Sequence, residues 1–318
     1  MLESTVIKQS SRMIQWPGDR LFAFSIFDDP DAQTLEGARA VYDFLAHAGL
    51  RTTIGVWPGG PIRERNSGGD TYANDEYRRY IQELGEQGFE IGYHNATPHS
   101  SFRKETLDGL ERFSDFFGDA PITMANHYNA EAIYWGSDRL GGLRKSIYRA
   151  ATLGHRSDVF FGHIRDSPYF WGDACENKIR FCRNFVYQGI NTLRACPWMP
   201  YHDPERQYVK YWFASSDGAN VTKLVHLLSE DNQDALEKQG GACIVYTHFG
   251  HGFVKDGRLD PRFSDLIKRL IQKRGWFVPV GVLLNYLLKF REHPIISDAQ
   301  RRSLEWRWLG AKLLTGTS

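Results

Sequence analysis

The stretch Leu21–Pro30, LFAFSIFDDP, decides the fold more than any other part of this 318-residue chain. It is a short apolar run of the kind that forms a buried strand, and it ends in Asp28, Asp29 and the strand-breaking Pro30. Apolar residues at helical spacing follow between Thr34 and Ala48, and Gly49 supplies a helix stop. This part of the sequence therefore predicts a β-strand followed by an α-helix.

The same order of strand and helix recurs along the chain. Further strands are predicted at residues 52–56, 89–93, 121–125, 209–215, 242–247 and 276–280. Further helices are predicted at residues 75–87, 103–117, after Ala219, 261–274 and 282–291. The range 137–203 has no regular pattern, and no element is assigned to it. Strands that alternate with helices indicate a parallel sheet, and at least six such units without a glycine-rich dinucleotide motif favour a barrel.

The predicted organisation is a single α/β domain with two flanking segments. Residues 1–20 form a polar N-terminal arm, residues 21–295 the barrel, and residues 296–318 a helical tail. The apolar residues of the tail fall on two neighbouring helical rows, Leu304 with Trp308, and Trp306 with Leu309 and Leu313. Packing of the tail against the barrel is expected, and its basic residues leave a weak peripheral membrane contact as the alternative.

Composition excludes several classes of protein. Lys plus Arg (39) almost balance Asp plus Glu (38), which argues against a nucleic-acid partner. The four cysteines have no C-x-x-C spacing, so free thiols in a reducing compartment are expected. No apolar stretch has the length of a signal peptide or a transmembrane helix, which predicts a cytoplasmic protein. Oligomeric state is left open.

Acidic residues and histidines follow three of the predicted strands. Asp28 and Asp29 follow the first, His94 and His99 follow the third, and His248 follows the run ACIVYT. Barrel enzymes place their catalytic groups at these carboxyl ends of strands. Two histidines and an aspartate can hold a divalent cation and leave positions open for water. A helix cap or ordinary loop histidines would explain each group alone, but their combination favours a metal-dependent hydrolase.

Other catalytic templates are missing. The sequence contains no G-x-x-x-x-G-K-[ST] phosphate loop, no H-E-x-x-H and no G-x-S-x-G.

The quoted motifs resemble the polysaccharide deacetylase superfamily, whose members share a distorted (β/α)7 barrel. FSIFDDP resembles its first motif, GFEIGYHNATPHS its second, and IVYTHFGHGF a later one, within a resemblance that spans most of residues 20–290. The resemblance implies that Asp28 is the general base, that Asp29 and His94 bind the metal, and that His248 is the catalytic acid. The sequence looks like a divergent branch of the type linked to bacterial surface-polysaccharide and O-antigen biosynthesis.

The sequence departs from the family pattern at two motifs. The second motif normally separates its histidines by four positions, but position 98 is Pro, so His99 is expected as the third metal ligand. The usual Arg-x-Pro-aromatic motif is replaced by ITMANHYNAEAIYWG, which offers His127 and Asn129 as alternative ligand or substrate residues.

Two further residues have expected roles near the acid. Asp217, at the end of FASSDG, is expected to support His248. His251 is a further candidate for binding substrate or for replacing His248 as the acid.

The function implied by the resemblance is removal of an N-acetyl group from an amino sugar of a surface polysaccharide or its precursor. The expected cofactor is a divalent metal, first zinc and otherwise another transition metal, and the expected partner is a saccharide substrate. Two alternatives remain: an amidase or esterase with a different substrate in the same barrel, and a carbohydrate-binding protein without catalytic activity.

Overall fold

A computed structural model describes residues 14–155 and 157–315; residues 1–13 of the arm and 316–318 of the tail lie outside them. The strands are β1 (Phe22–Asp28), β2 (Thr53–Val56), β3 (Glu90–Tyr93), β4 (Thr123–Met124), β5 (Phe181–Tyr187), β6 (Tyr211–Asp217), β7 (Ala242–Thr247), β8 (Val254–Lys255), β9 (Arg258–Leu259) and β10 (Gly275–Phe277). The α-helices are α1 (Leu35–His47), α2 (Asp75–Glu86), α3 (Arg103–Phe117), α4 (Gly142–Ala151), α5 (Gly172–Lys178), α6 (Thr192–Ala195), α7 (Val221–Leu227), α8 (Glu230–Gln239), α9 (Pro261–Ile271), α10 (Val280–Leu288) and α11 (Asp298–Thr315).

Strands β1 to β7 form a closed parallel barrel surrounded by helices. They lie side by side in chain order, and β7 closes the barrel by pairing with β1 from Ala23↔Ala242 to Asp28↔Thr247. An extra strand, β10, pairs with Phe22–Phe24 of β1, whereas β2 pairs with Phe27 and Asp28. The predicted fold, a single-domain (β/α)7-type barrel, is confirmed.

The apolar strands form because each is covered on both faces. Every residue of β1 is buried, since one face looks into the barrel and the other meets the surrounding helices. Phe27 helps to fill the interior: a Cβ at Gly92 of β3 would lie only 2.9 Å from its ring. The barrel interior is therefore a packed core, and the cavity described below lies beyond it, at the carboxyl ends of the strands.

The predicted elements are present with shifts of a few residues at their ends. The helix expected after Ala219 is divided into α7 and α8, and the last strand is displaced toward its start, at Gly275–Phe277. The unassigned range 137–203 contains β5 and three helices, α4, α5 and α6. Its central strand has the sequence FCRNFVY, in which Arg183 and Asn184 interrupt the apolar run that would have indicated a buried strand.

Helix α11 packs against the barrel wall, as expected for the tail. Leu304, Trp308 and Leu309 are buried, while Trp306 and Leu313 are about half exposed. The buried and exposed residues therefore do not follow the two predicted rows, because Leu309 turns inward with Trp308. Among the described residues no helix combines the length and the apolar character that a bilayer crossing requires.

A buried carboxylate fixes α11 to the rest of the molecule. Glu305 has no exposed surface and accepts hydrogen bonds from Arg144 Nε at 2.5 Å, from Arg206 Nη2 at 3.0 Å and from the Gly141 N–H at 3.1 Å. Arg206 also bonds Asp203, so the network joins α11 to the segment before β6. The position of α11 is thus set by charge pairing as well as by apolar contact.

We predict that Glu305→Ala lowers the free energy of unfolding by about 3–5 kcal/mol, because the change leaves the buried Arg206 and the partly buried Arg144 without their shared carboxylate. Urea unfolding of the variant against the wild type measures this. Glu292→Ala, at an exposed position, is the matched control and should change stability by less than about 0.5 kcal/mol. Equal stability of the two variants would contradict an anchoring role for Glu305.

Candidate metal centre and active-site cavity

One cavity of about 350 Å³ opens at the carboxyl ends of the barrel strands. Its charged and imidazole side chains come from separate loops and strands and include Asp29, Asp31, His94, His127, Arg183 and His248. Aromatic side chains of Tyr128, Trp135, Tyr148, Tyr246 and Trp308 also line it. Ligand cavities commonly combine apolar walls with a few converging polar groups, and this cavity has that composition.

Asp31, His94 and His127 form a compact cluster in the cavity. His94 Nε2 lies 3.3 Å from Asp31 Oδ2, and His127 Nδ1 lies 3.4 Å from Asp31 Oδ1. One ligand atom from each residue falls within 4.8 Å of the other two. Ligand atoms around tetrahedral zinc are separated by about 3.4 Å, given metal–ligand bonds of roughly 2.0–2.2 Å. The spacing and the donor set, two imidazoles and one carboxylate, fit a divalent transition metal.

Local chain geometry brings these three side chains together. Pro30 ends β1 and turns the chain, so that Asp31 returns over the barrel mouth. His94 follows β3 directly, and His127 lies three residues beyond β4. The buried ring of Trp57, after β2, packs against both imidazoles, with centroid distances of 5.8 Å to His94 and 5.3 Å to His127.

The imidazole nitrogens provide a test of the fit to a metal. Within the described ranges, no residue hydrogen-bonds Nδ1 or Nε2 of His94, or Nε2 of His127, although all are buried. Buried polar atoms are normally satisfied, so these nitrogens require a further ligand. Burial by itself would raise the pKa of Asp31, but the adjacent His127 and His94 outweigh burial and hold that pKa far below its usual range.

A buried network behind the cluster positions the loops that carry the histidines. Glu131 Oε1 accepts hydrogen bonds from Asn95 Nδ2 at 3.1 Å and Asn129 Nδ2 at 3.0 Å, and Oε2 accepts from the Ser101 N–H. Asn95 Oδ1 in turn accepts the backbone N–H of His127 at 3.0 Å. Burial raises the pKa of Glu131 to about 7, against the lowering effect of its hydrogen bonds. Asn129 therefore supports the loops and does not line the cavity.

His99 does not join the metal cluster. Its Nδ1 lies 3.0 Å from the Ser100 carbonyl and 3.1 Å from Thr97 Oγ1. Asn129 Nδ2 donates to the carbonyls of both Thr97 and His99, and this fixes a loop that carries the His99 ring away from Asp31. The loop accommodates the extra residue before His99 by changing direction. His127, the alternative third ligand, lies in the cluster instead.

Asp29 lies in the cavity but is paired with an arginine. Arg183 donates from Nη1 to Asp29 Oδ1 at 2.9 Å and from Nη2 to Oδ2 at 2.5 Å, and both side chains are buried. The pairing of β5 with β6 shifts register between Arg183 and Val186, which lets both residues face the cavity. Asp29 Oδ1 is 3.7 Å from His94 Nδ1, so Asp29 borders the cluster without belonging to it.

Asp28 faces away from the cavity, as alternation along a strand requires. Its carboxyl accepts hydrogen bonds from Tyr42 Oη, from Gln33 Nε2 at 2.9 Å and from the Phe249 N–H at 2.7 Å. Burial raises the pKa of Asp28 to about 8, although the hydrogen bonds oppose the shift. The expected general base thus has no contact with the cavity. Asp28 instead holds the residue that follows His248.

His248 enters the cavity in a defined tautomer. Its Nδ1 lies 2.8 Å from the Ala219 carbonyl, so that Nδ1 carries the proton, and Nε2 lies 3.3 Å from Tyr246 Oη and farther from the two aspartates. The distances from Nε2 are 3.7 Å to Asp31 Oδ2 and 4.0 Å to Asp29 Oδ2. The expected contact with Asp217 is not formed, because Asp217 accepts from Lys223 Nζ at 3.0 Å and from Gln188 at 3.1 Å.

His251 lies outside the cluster. It stacks beside His248 with a centroid distance of 4.7 Å and is exposed to solvent. Burial lowers its pKa somewhat, and so does the adjacent His248.

Sequence reasoning missed two residues of this site, Asp31 and Arg183. Asp31 was overlooked because Asp28 and Asp29 stand just before it in the sequence. The order D-D-P-D nevertheless puts a third carboxylate just beyond the turn at Pro30. Arg183 lay in the unassigned range. A charged residue inside the otherwise apolar FCRNFVY was the available signal, because a buried arginine requires a partner.

Comparison with solved structures finds the same barrel in a protein from Mycobacterium smegmatis provisionally described as a polysaccharide deacetylase. The identity is 12% and the TM-score 0.51, over 89% of this chain and 96% of that one. The two chains share one fold. This likeness confirms the barrel that the sequence resemblance implied.

Two other solved structures align less closely. A Pseudomonas aeruginosa PAO1 protein with a similarly provisional description, and PuuE allantoinase, are each 13% identical with TM-scores of 0.47, over 88% of this chain and 94% and 93% of theirs. No family model matches the sequence, and no curated protein is significantly similar to it.

We predict that His127→Ala abolishes stoichiometric metal binding, whereas His99→Ala retains it. Loss of a residue that only supports a ligand already costs about 10–100-fold in metal affinity, so removal of His127 should cost more than 100-fold. Zinc titration of both purified variants, followed by elemental analysis, measures this. Tight binding by the His127 variant with loss in the His99 variant would restore His99 as the third ligand.

We predict that wild-type stability falls more steeply between pH 5 and pH 7 than that of Asp28→Asn. The folded-state pKa of about 8 lies above the unfolded value of 3.8, so the folded form keeps a proton that the unfolded form loses. This contribution is greatest at low pH and declines as the pH rises. The slopes should differ by about 1 kcal/mol per pH unit in urea unfolding. The exposed control Asp115→Asn should keep the wild-type slope; parallel curves for Asp28→Asn would contradict the buried, protonated state.

Proposed function

We propose that this protein is a metal-dependent hydrolase that removes an N-acetyl group from an amino sugar. The observation that carries the proposal is the convergence of Asp31, His94 and His127, a second aspartate and a third histidine in one cavity. Catalytic zinc sites typically have three protein ligands and an open position for water or substrate, which this donor set would leave. The shared barrel is consistent with this chemistry.

In the proposed mechanism Asp31, His94 and His127 would hold the metal. A divalent cation there would supply Lewis acidity, which polarises an amide carbonyl and makes a nearby water more acidic. Asp29 is the general base, because it is the second carboxylate of the cavity and borders His94 at 3.7 Å. The two parallel hydrogen bonds from the Arg183 guanidinium fix the orientation of that carboxylate and keep it beside the cluster. Asp28, the base implied by the sequence resemblance, becomes a positioning residue.

His248 is the proposed acid. The Ala219 carbonyl holds Nδ1, so a second proton is carried on Nε2, which faces the cavity. Water adds to the acetamide carbonyl as its proton passes to Asp29, and Nε2 of His248 gives its proton to the departing amine as the C–N bond breaks. The products are acetate and a free amino sugar. A proton must then move from Asp29 to His248, directly or through water, before the next turnover; their side chains stand 4.0 Å apart.

We further propose zinc as the metal and a bacterial surface polysaccharide or its precursor as the source of the sugar. The aromatic walls of the cavity support a saccharide, since sugar rings pack well against aromatic faces. The proposed cytoplasmic location is supported by the four cysteines, which are all buried free thiols.

We predict that Asp29→Asn and Asp31→Asn fail for different reasons. Asp29→Asn should retain metal and lower turnover by about 100- to 10,000-fold, the usual cost of losing a general base. Asp31→Asn should lose metal affinity as well as turnover. Acetate release from N-acetylglucosamine oligomers, measured beside metal content, separates the two effects. Loss of metal in the Asp29 variant with retention in the Asp31 variant would reverse their roles.

We predict that His248→Ala retains metal and loses most activity on amides but less on an activated acetyl ester, whose leaving group needs no proton. The ratio of the two rates is the measurement. Equal losses on both substrates would remove His248 from the role of acid. Turnover of esters alone by the wild type would favour an esterase, and sugar binding without any turnover would favour a binding protein.

A further inference from the structure

Tyr246 contacts both halves of the proposed catalytic apparatus, although it has no role in the mechanism given above. It lies on β7 two residues before His248, so the two side chains leave the chain on the same face. The intervening Thr247 is fully buried on the other face, paired with Asp28. Tyr246 and His248 both line the cavity, which places the phenol beside the proposed acid.

The hydroxyl of Tyr246 meets the imidazole nitrogen that would carry the transferred proton. Tyr246 Oη lies 3.3 Å from His248 Nε2, while Nδ1 of the same ring lies 2.8 Å from the Ala219 carbonyl. With the proton on Nδ1, neutral His248 accepts a hydrogen bond from the hydroxyl at Nε2. Burial raises the pKa of Tyr246 far above its usual range, so the hydroxyl keeps the proton that it donates. Both ring nitrogens are therefore held, and the orientation of the imidazole is fixed.

The ring of Tyr246 supports the other half of the site. The guanidinium carbon of Arg183 lies 4.4 Å from the centroid of the Tyr246 ring and 5.4 Å from that of Phe27. Both Nη atoms of Arg183 bond Asp29, but within the described ranges its buried Nε has no hydrogen-bond partner. The guanidinium is thus oriented by one carboxylate and by aromatic faces, and cation–π contacts of this kind are strongest where water is excluded.

We propose that Tyr246 is a positioning residue for both proton-transfer groups: its hydroxyl orients His248, and its ring holds Arg183, which in turn orients Asp29. This inference rests on the proposed function for the reaction itself, but the two contacts do not depend on turnover. The hydroxyl serves both charge states of His248, because a phenol donates to a neutral Nε2 and accepts from a protonated one. When the amine departs, the Nε2 proton passes from the imidazole to the amine nitrogen, and the phenol keeps its own proton.

The hydroxyl and the ring of Tyr246 are tested with different variants. Tyr246→Phe removes the hydroxyl and keeps a ring over Arg183, whereas Tyr246→Leu removes both. Tyr211→Phe is the matched control, because it removes a hydroxyl at the opposite end of the neighbouring strand β6. Acetate release by the zinc-loaded, full-length protein is measured on N-acetylglucosamine oligomers and on para-nitrophenyl acetate, an activated ester.

Tyr246→Phe should lower kcat on the amide about tenfold, the usual cost of one hydrogen bond, and leave KM, metal content and the ester rate near the wild-type values. Tyr246→Leu should lower the rates on both substrates by a further factor of about three to ten, because Asp29 is needed for each. The control should match the wild type.

Two results would overturn the proposal. Equal losses on amide and ester in Tyr246→Phe, or wild-type rates on both, would refute the role of the hydroxyl; a rise in KM alone would make Tyr246 a wall for the sugar. A wild-type ester rate in Tyr246→Leu would refute the role of the ring. If the leucine variant does not fold, the phenylalanine variant still decides, since its ester rate must persist when only the phenyl ring supports Arg183.

Nitrogen NMR of isotope-labelled histidine separates this inference from the proposed function. The Nε2 resonance of neutral His248, assigned with His248→Ala, should move to higher frequency in Tyr246→Phe, because the nitrogen loses its hydrogen-bond donor. That change without acetate release by the wild type would support the positioning of His248 by Tyr246 and refute the deacetylase. Acetate release with an unchanged resonance in Tyr246→Phe would support the deacetylase and refute the positioning role.

Discussion

The pairing of β1 with β7 is the constraint on which the rest of the site depends. It closes the barrel from Ala23↔Ala242 to Asp28↔Thr247, and the ladder extends one residue further, because the Asp29 N–H donates to the Thr247 carbonyl at 2.9 Å. Asp29 directly follows β1 and His248 directly follows β7, so this pairing holds the two residues side by side. His248 is thereby placed next to the loop that carries Asp29 and Asp31. A slip of this register by one residue would turn Asp28 into the cavity and Asp29 out of it.

Alternation along β1 separates the adjacent aspartates into two environments. Asp29 faces a cavity in which Arg183 balances its charge, whereas Asp28 faces tyrosine and glutamine side chains in the wall of the barrel. Desolvation dominates the wall position and raises the pKa of Asp28 to about 8, so this carboxyl is mostly a neutral hydrogen-bonding group near pH 7. The same residue type therefore serves as a candidate base at Asp29 and, at Asp28, as a hydrogen-bond acceptor that positions the loop after β7.

The sequence alone was sufficient to predict the barrel and most of the loops that form the site. Buried strands such as ACIVYT leave a clear apolar pattern, and the carboxyl ends of parallel strands meet at one rim, so His94 and His248 were placed there from the sequence alone. The set of metal ligands was harder to predict from the sequence. Whether His99 or His127 meets Asp31 depends on side-chain hydrogen bonds from Asn129 and Asn95, and these join residues about thirty positions apart in the chain. The role of Arg183 could not be predicted for a similar reason, because its partner Asp29 is 154 residues away in the chain.

Helix α11 gives the cavity a wall that follows every barrel strand in the chain. During synthesis, β1 to β7 leave the ribosome before Trp308, which lines the cavity from α11. The groups assigned to chemistry therefore emerge while α11 is still inside the exit tunnel. A nascent chain in that state would present an open mouth over its histidine cluster, and α11 would complete the enclosure once it is released.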